Sequence, residues 1–84
     1  MQYIDPQNLH TTPMGARRIQ RNLDLSPGAD PVQWCRRLIS SPGTVLTRRG
    51  KNIYASLGEI RITIHATALT IITAHRNASP EDML

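Results

Sequence analysis

The spacing of apolar residues divides the chain into a helical first half and a β-rich second half. In the first half, apolar residues recur every three or four positions in two stretches, and each stretch begins with a capping hydroxyl or carboxylate followed by proline. This pattern predicts helices over residues 13–22 and 31–40. Proline–glycine pairs at 27–28 and 42–43 end the two segments, because neither residue continues a helix cheaply.

From residue 44 onward, β-branched residues alternate with polar ones, which is the period of a strand. Strands are predicted at about 44–48, 52–57, 59–65 and 69–75. The links between them are short, so consecutive strands pair in antiparallel fashion. In the third strand, three isoleucines share one face, while Arg61, Thr63 and His65 share the other. The two helices must cover the isoleucine face, because no other segment can do so.

These elements predict an α+β fold, with two N-terminal helices packed on one face of a four-stranded antiparallel meander. Residues 10–76 form a single domain, preceded by an arm over 1–9 and followed by a flexible polar tail over 77–84. Apolar residues of the arm that can pack against the domain are Tyr3, Ile4 and Leu9. Paired isoleucines break the alternation of the fourth strand, so either Thr70 or Thr73 faces outward.

The charge is distributed unevenly along the chain. The formal net charge is +4, and between residues 31 and 58 there are cations but no Asp or Glu. These cations are Arg36, Arg37, Arg48, Arg49 and Lys51. A stretch of one sign attracts polyanions such as RNA, DNA or acidic protein surfaces. A solvated basic face that only keeps the protein soluble fits the same pattern equally well.

Several classes of protein are disfavoured by what the sequence lacks. A single cysteine, Cys35, cannot form an internal disulfide. The N-terminus has no signal-peptide pattern, and no apolar run approaches the roughly 18 residues of a membrane span. The protein is therefore predicted to be cytoplasmic, with no membrane partner. The three histidines lack metal-site spacing and there is no known glycine-rich phosphate loop, so neither a metal nor a cofactor is expected.

Three regions carry residues that could bind phosphate or move protons. His10 and Thr11 precede the first helix, where free N–H groups favour an anion; the alternative is that Thr12 is a simple cap, which is common, and that His10 is a surface residue. The hairpin around Gly50 carries three cations, which suits either phosphate binding or protection of a sheet edge. The sheet face opposite the helices, with Tyr54 as a possible stacking residue, has the outline of an RNA-binding platform with few aromatics.

Three sequence blocks occur in one order: HTT-x-x-G-x-x-RI-x-x-NL at 10–23, GKN-x-Y at 50–54, and ITI with TIITAH between 62 and 75. Together they resemble a family of short bacterial proteins known only as a domain of unknown function, over roughly residues 9–76. That resemblance implies aromatic residues at two positions where this chain has Ile53 and Leu69.

The layout of helices followed by a meander is also similar to the barnase–EndoU–colicin–RelE superfamily of metal-independent RNases. This similarity implies that His10, Lys51 and His75 surround one phosphate. The same similarity implies that three further residues assist at this phosphate site: Arg18, Tyr54 and Thr73.

The leading hypothesis is a small, toxin-like ribonuclease that cleaves RNA through attack of the 2′-hydroxyl. A base, an acid and a cation suffice for this reaction, and no metal is needed. The expected catalytic residues are His10, His75 and Lys51, and the expected substrate-binding residues are Thr11, Arg18, Arg48, Arg49, Tyr54 and Thr73. The expected partners are RNA and an acidic antitoxin-like protein. The alternatives are a non-catalytic module that binds nucleic acid or an acidic protein, and a protein that forms a homodimer.

Overall fold

A computed structural model describes residues 4–76. The elements in chain order are a 3₁₀ turn (Pro6–Asn8), helices α1 (Pro13–Asn22) and α2 (Pro31–Ser40), and strands β1 (Val45–Arg49), β2 (Asn52–Leu57), β3 (Ile60–His65) and β4 (Ile71–Arg76). The predicted α+β fold is confirmed. The predicted arm residue Tyr3 and the tail over 77–84 lie outside the described residues.

Both helices begin at the capping residues that the sequence predicts. The Thr12 hydroxyl accepts a hydrogen bond from the Gly15 N–H at 3.0 Å. The Asp30 carboxylate accepts one from Val32 N–H at 3.0 Å and another from Gln33 N–H at 3.3 Å. These contacts satisfy N–H groups that have no partner within the helix, and proline occupies a first-turn position in each helix.

The four strands form an antiparallel sheet in the order β1-β2-β3-β4. Their bounds differ from the predicted ones by one or two residues at some ends. The pairing of β3 with β4 shifts register, because Thr63 pairs with Thr73 whereas Ile64 pairs with Ile71. The residue left without a partner, Ile72, is a β-bulge.

Strand alternation and the bulge together determine which of Thr70 and Thr73 faces away from the helices. Ile71 is 1% exposed and lies in the core. Thr70 precedes it and therefore points to the opposite side. Without the bulge, Thr73 would face the helices as Ile71 does. The extra residue, Ile72, turns Thr73 to the same side of the sheet as Thr70. Both threonines face outward, so neither of the two alternatives drawn from the sequence was complete.

The core lies between the helices and one face of the sheet. Its sheet residues are Ile53, Ala55, Ile60, Ile62, Ile64, Ile71 and Ala74, and its remaining members are Ile4, Leu9, Ile19, Leu23, Cys35 and Leu38. The helices therefore cover the isoleucine face, as predicted. Ile4 and Leu9 of the arm belong to this core as well. Within residues 4–76, no helix has the length and apolar character required to cross a bilayer.

Candidate functional site

The face of the sheet opposite the helices is here named the open sheet face. Side chains alternate along a strand, and paired residues of neighbouring strands share a face, so its members follow from the register. They are Val45, Thr47, Arg49, Asn52, Tyr54, Ser56, Arg61, Thr63, His65, Thr73 and His75. No helix or strand within residues 4–76 packs over this face.

The middle of the open sheet face is a shallow depression built around the ring of Tyr54. Its volume is about 220 Å³, and its lining residues are Thr47, Arg49, Tyr54, Ser56 and Arg61. The guanidinium carbon of Arg61 lies 5.5 Å from the centre of the Tyr54 ring, which is the range of a cation–π contact. The depression therefore combines an aromatic face, two cations and two hydroxyls.

The arm, taken from here on to include His10 and Thr11 up to the start of α1, completes the open sheet face at the end where β4 begins. His10 pairs side by side with Thr70: its N–H donates to the Leu69 carbonyl at 3.3 Å, and its own carbonyl accepts from Ile71 N–H at 2.7 Å. The next residue, Thr11, donates its hydroxyl to the Ile71 carbonyl at 2.9 Å. These three hydrogen bonds hold the arm against the edge of β4.

Gly15 allows this arrangement because a side chain there would collide with the arm. A Cβ added at Gly15 would overlap the Thr11 hydroxyl, and it would also lie 3.2 Å from the Thr12 hydroxyl oxygen. Any larger residue would displace Thr11 and would thereby disturb the position of His10. Gly15 is thus a positioning residue for the arm.

The two ring nitrogens of His10 have different partners. Nδ1 lies 3.1 Å from the Asn8 carbonyl oxygen, and Nε2 lies 3.0 Å from the Thr70 hydroxyl. Because a carbonyl only accepts, Nδ1 of the neutral imidazole must carry the proton. Nε2 is then the acceptor, and the Thr70 hydroxyl donates its hydrogen bond to this nitrogen. This is the tautomer that a general base needs.

A second histidine, His65, lies on the other side of Thr70. The backbone N–H of His65 donates to the Thr70 carbonyl at 2.9 Å. Its ring Nδ1 accepts from Ala68 N–H at 3.1 Å, so the proton of its neutral imidazole lies on Nε2. One row of side chains therefore crosses this end of the open sheet face: Arg49, Asn52, His65, Thr70 and His10.

The open sheet face has no carboxylate among the described residues. The acids within 4–76 lie elsewhere: Asp5 caps the 3₁₀ turn, Asp30 caps α2, Asp24 follows α1, and Glu59 pairs with Arg76 at 3.3 Å. The face therefore presents arginine and histidine side chains without a compensating negative charge, which favours anionic ligands.

The three predicted catalytic residues do not converge on one point. His10 and Lys51 lie at the same end of the sheet, because the Lys51 carbonyl accepts from Ala66 N–H beside the row just described. His75 pairs with Arg61 near the opposite end. His65 and Arg61, the β3 partners of Thr70 and His75, are four residues apart, which at about 3.3 Å per residue is roughly 13 Å along the sheet. The single phosphate site formed by all three residues is therefore not present.

The predicted substrate-binding residues also separate into two groups. Arg49, Tyr54 and Thr73 lie on the open sheet face, as does the arm bearing Thr11. Arg48 pairs with Ile53 and so belongs to the helix side of the sheet, where its Nε donates to the Gly50 carbonyl. Arg18 lies on α1, in the helix layer. These two residues are placed away from the open sheet face.

Arg61, His65 and Thr70 also contribute to the open sheet face, although they are not among the catalytic or substrate-binding residues that the sequence predicts. The alternation along β3 placed the first two on this face. The position of Thr70 could not be predicted, because it depends on a bulge and on the path of the arm.

Cys35 has no part in this surface. It is 0% exposed, and burial raises the pKa of its thiol to about 12, so it is a core residue and not a nucleophile. Within the part of the chain that the structure describes, no three His, Cys, Asp or Glu side chains are grouped so that they could hold a metal ion.

The structure thus defines a small α+β domain whose sheet has one face covered by helices and one polar, cationic face. The sequence matches the family described as "Protein of unknown function (DUF3781)" over residues 4–75, and the chain belongs to this family. This confirms the resemblance to a domain of unknown function. Comparisons with curated proteins and with solved structures gave no significant match, and nothing in them bears on the RNase superfamily.

Proposed function

We propose that this protein binds single-stranded RNA across the open sheet face. The observation that carries the proposal is an uncovered sheet face that bears a tyrosine, Arg49, Arg61 and three histidines, and whose described members include no carboxylate. Arginines attract the phosphates, and an aromatic ring stacks a base that is not paired.

The chemistry of the face suits a single strand better than a duplex. A base can lie on the Tyr54 ring only if it is unpaired and turned outward. Hydroxyl and amide groups surround this ring, and they can exchange hydrogen bonds with base edges and with ribose 2′-hydroxyls. These groups belong to Thr47, Asn52, Ser56 and Thr73. Among residues 4–76, Tyr54 is the one Phe, Tyr or Trp side chain on this face, so we expect modest affinity.

The direct test is binding of fluorescein-labelled oligouridine and a mixed-sequence RNA, measured by fluorescence anisotropy. Tyr54→Ala should weaken binding by about fivefold to 150-fold, which corresponds to the roughly 1–3 kcal/mol of one stacked base. Tyr54→Phe keeps the ring and should bind within about twofold of the wild type. Equal affinity of the alanine and phenylalanine variants, or tighter binding of a blunt duplex than of the single strand, would contradict the proposal.

A second candidate function is RNA cleavage, and the tautomer of His10 favours it. If a ribose 2′-hydroxyl takes the place of the Thr70 hydroxyl, Nε2 of His10 accepts its proton. The 2′-oxygen then bonds to phosphorus, the bond from phosphorus to the 5′-oxygen breaks, and that oxygen takes a proton from the Lys51 ammonium or from water. This route preserves the proposed likeness to metal-independent RNases, and it does not use His75.

Cleavage is tested with purified protein and a 5′-labelled RNA in EDTA, beside a copy with 2′-deoxyribose throughout. We expect cleavage of the RNA alone, loss of cleavage in His10→Ala, and retention in His75→Ala, because these residues lie at opposite ends of the face. Intact RNA with every variant, while anisotropy still reports binding, would remove cleavage and leave RNA binding as the function.

A further inference from the structure

The two edge strands of the sheet differ in whether another segment of the chain pairs with them. At the start of β4, residues 10 and 11 of the arm occupy the edge with three hydrogen bonds. At the other edge, β1 pairs only with β2 within residues 4–76. Four of the five β1 residues are exposed, and Val45 retains 59% of its surface. An edge strand of this kind is a template for pairing with another polypeptide.

The hydrogen bonds of the neighbouring hairpins show which β1 groups are free. Residues that face each other in an antiparallel pair are alternately hydrogen-bonded and non-hydrogen-bonded. Asn52 and His65 form a non-hydrogen-bonded pair, because the bond beside them joins the next residues, from Ala66 N–H to the Lys51 carbonyl. The peptide groups of Asn52 must then point at its other partner, Arg49. Arg49 and Asn52 are therefore a hydrogen-bonded pair, and every second β1 residue is bonded to β2 in the same way. The residues between them, Leu46 and Arg48, point their N–H and C=O groups away from the sheet.

The charge beside this edge is positive throughout. Arg48 and Arg49 end β1, Lys51 follows in the turn, and Arg37 of α2 lies near the start of the strand. No Asp or Glu occurs between residues 31 and 58. A pair of β1 strands from two copies would bring four arginines to one seam without a carboxylate. The edge is therefore complementary to an acidic strand and poorly suited to a second copy of itself.

An apolar cavity lies at the other end of the same edge. Its volume is about 250 Å³, and it is lined by Trp34, Arg37, Leu38, Ser41 and Leu57. The Thr44 hydroxyl donates to the Leu38 carbonyl at 2.6 Å, which ties the chain just before β1 to this wall of α2. RNA has no aliphatic side chain to fill such a cavity, whereas a leucine or valine side chain of a protein can fill it.

We propose that the β1 edge binds an extended acidic segment of a partner protein, which adds a fifth strand to the sheet. In the antiparallel orientation, acidic residues of the partner lie opposite Arg49 and Arg48, and apolar residues lie opposite Leu46 and Val45. The partner segment then reads, from its N-terminus, two acidic residues, one residue of any type, and two apolar residues. This site is the edge of the sheet. It shares Arg49 and Val45 with the open sheet face, but the outward backbone groups of β1 and the apolar cavity lie outside that face, and the proposal does not depend on RNA binding.

The probe is a fluorescein-labelled, end-capped peptide that reads serine, glutamate, glutamate, threonine, leucine, valine, serine. The full-length protein should bind it saturably by anisotropy, and the emission of Trp34, the only tryptophan, should shift as the cavity fills. A second peptide with lysines in place of the glutamates should bind at least about tenfold more weakly, since it loses attraction and gains repulsion.

A matched pair of variants isolates the backbone contribution. Arg48→Thr removes one charge and keeps the outward N–H, whereas Arg48→Pro removes the N–H as well without breaking a bond to β2. Arg48→Pro should bind the glutamate peptide at least about fivefold more weakly than Arg48→Thr, given the usual worth of one hydrogen bond. Circular dichroism must first show that both variants are folded.

Other outcomes overturn the proposal. Equal affinity of the two Arg48 variants would show attraction by charge alone, without strand pairing. Displacement of the peptide by oligouridine, with no difference between the variants, would make this edge a nucleic-acid surface. A dimer in sedimentation that disappears in Arg48→Pro would assign the edge to a second copy of the chain. Absence of saturable binding to the glutamate peptide at millimolar concentration would exclude the site.

Discussion

The two faces of the sheet carry opposite chemistry on the same strands. On β3, the residues that face the helices are Ile60, Ile62 and Ile64, which are 8%, 0% and 0% exposed. Their neighbours on the open sheet face are all polar: Arg61 is exposed, His65 is half-buried, and Thr63 between them is 8% exposed. A strand alternates its side chains with a period of two, so one short segment serves both the core and the candidate binding surface.

This difference shows where the stability of such a small domain comes from. The apolar residues of the covered face are packed against two helices and the arm, and burial of apolar surface is the main favourable term in folding. The open sheet face contributes little to that term, so its residues are free to vary with the ligand. Substitutions on the two faces should therefore separate stability from binding.

The largest expected effect comes from Ile62→Ala on the covered face. Removing buried methyl groups leaves a cavity, and such a change costs about 2–5 kcal/mol of unfolding free energy. Total stability is typically about 5–15 kcal/mol, so the variant should unfold at a much lower urea concentration. Urea denaturation followed by Trp34 fluorescence and by circular dichroism measures this loss.

The adjacent residue provides the matched control. Arg61→Gln changes the open sheet face and should alter the unfolding free energy by no more than about 0.5 kcal/mol, as surface substitutions usually do. It should weaken RNA binding at the same time. If Arg61→Gln were as destabilising as Ile62→Ala, the division between a stabilising face and a binding face would be wrong.

A second prediction concerns Cys35, which lies behind the covered face. Burial raises the pKa of its thiol from 9.0 to about 12. Below pH 9 the thiol is neutral in both the folded and the unfolded state, so it adds no pH dependence. Above pH 9 only the unfolded state releases the proton, so rising pH favours unfolding, with a limiting slope of about 1.4 kcal/mol per pH unit.

The experiment compares the wild type with Cys35→Ala, which has no thiol, in urea titrations from pH 7 to 10. The unfolding free energy of the wild type should decline more steeply above pH 9, while the two proteins should run parallel below it. Iodoacetamide should modify the native wild type much more slowly than the urea-unfolded chain. Rapid modification of the native protein would show that Cys35 is accessible and that this part of the core opens readily.

The fold could be predicted from the sequence because each local signal agreed with the others. Capping residues and prolines gave the helix starts at residues 13 and 31, and the alternation along residues 60–65 gave the strand faces. Short links left an antiparallel meander as the simplest pairing. Such agreement between local preference and overall fold is typical of natural sequences.

The candidate site was harder to predict, because it depends on contacts between distant segments. The position of His10 is fixed by backbone bonds to Leu69 and Ile71, about sixty residues away. The bulge at Ile72 sets the orientation of two threonines, and nothing in the local pattern reveals it. The sequence identified residues with suitable chemistry, but it could not show that His75 lies at the opposite end from His10.

The smallest expected effect is a change in the salt dependence of RNA binding, and it tests the charge difference between the two faces. Each phosphate contact to a single strand contributes about −0.7 to the slope of log affinity against log salt. Arg49→Gln should reduce the magnitude of that slope by about 0.7, because Arg49 borders the central depression.

Arg18→Gln, on α1 in the helix layer, removes the same charge from the other side of the sheet and should leave the slope nearly unchanged. Anisotropy titrations at several potassium chloride concentrations measure both slopes. Equal changes in slope for the two variants would mean that RNA responds to the net charge of the protein. That result would exclude the open sheet face as the specific binding surface.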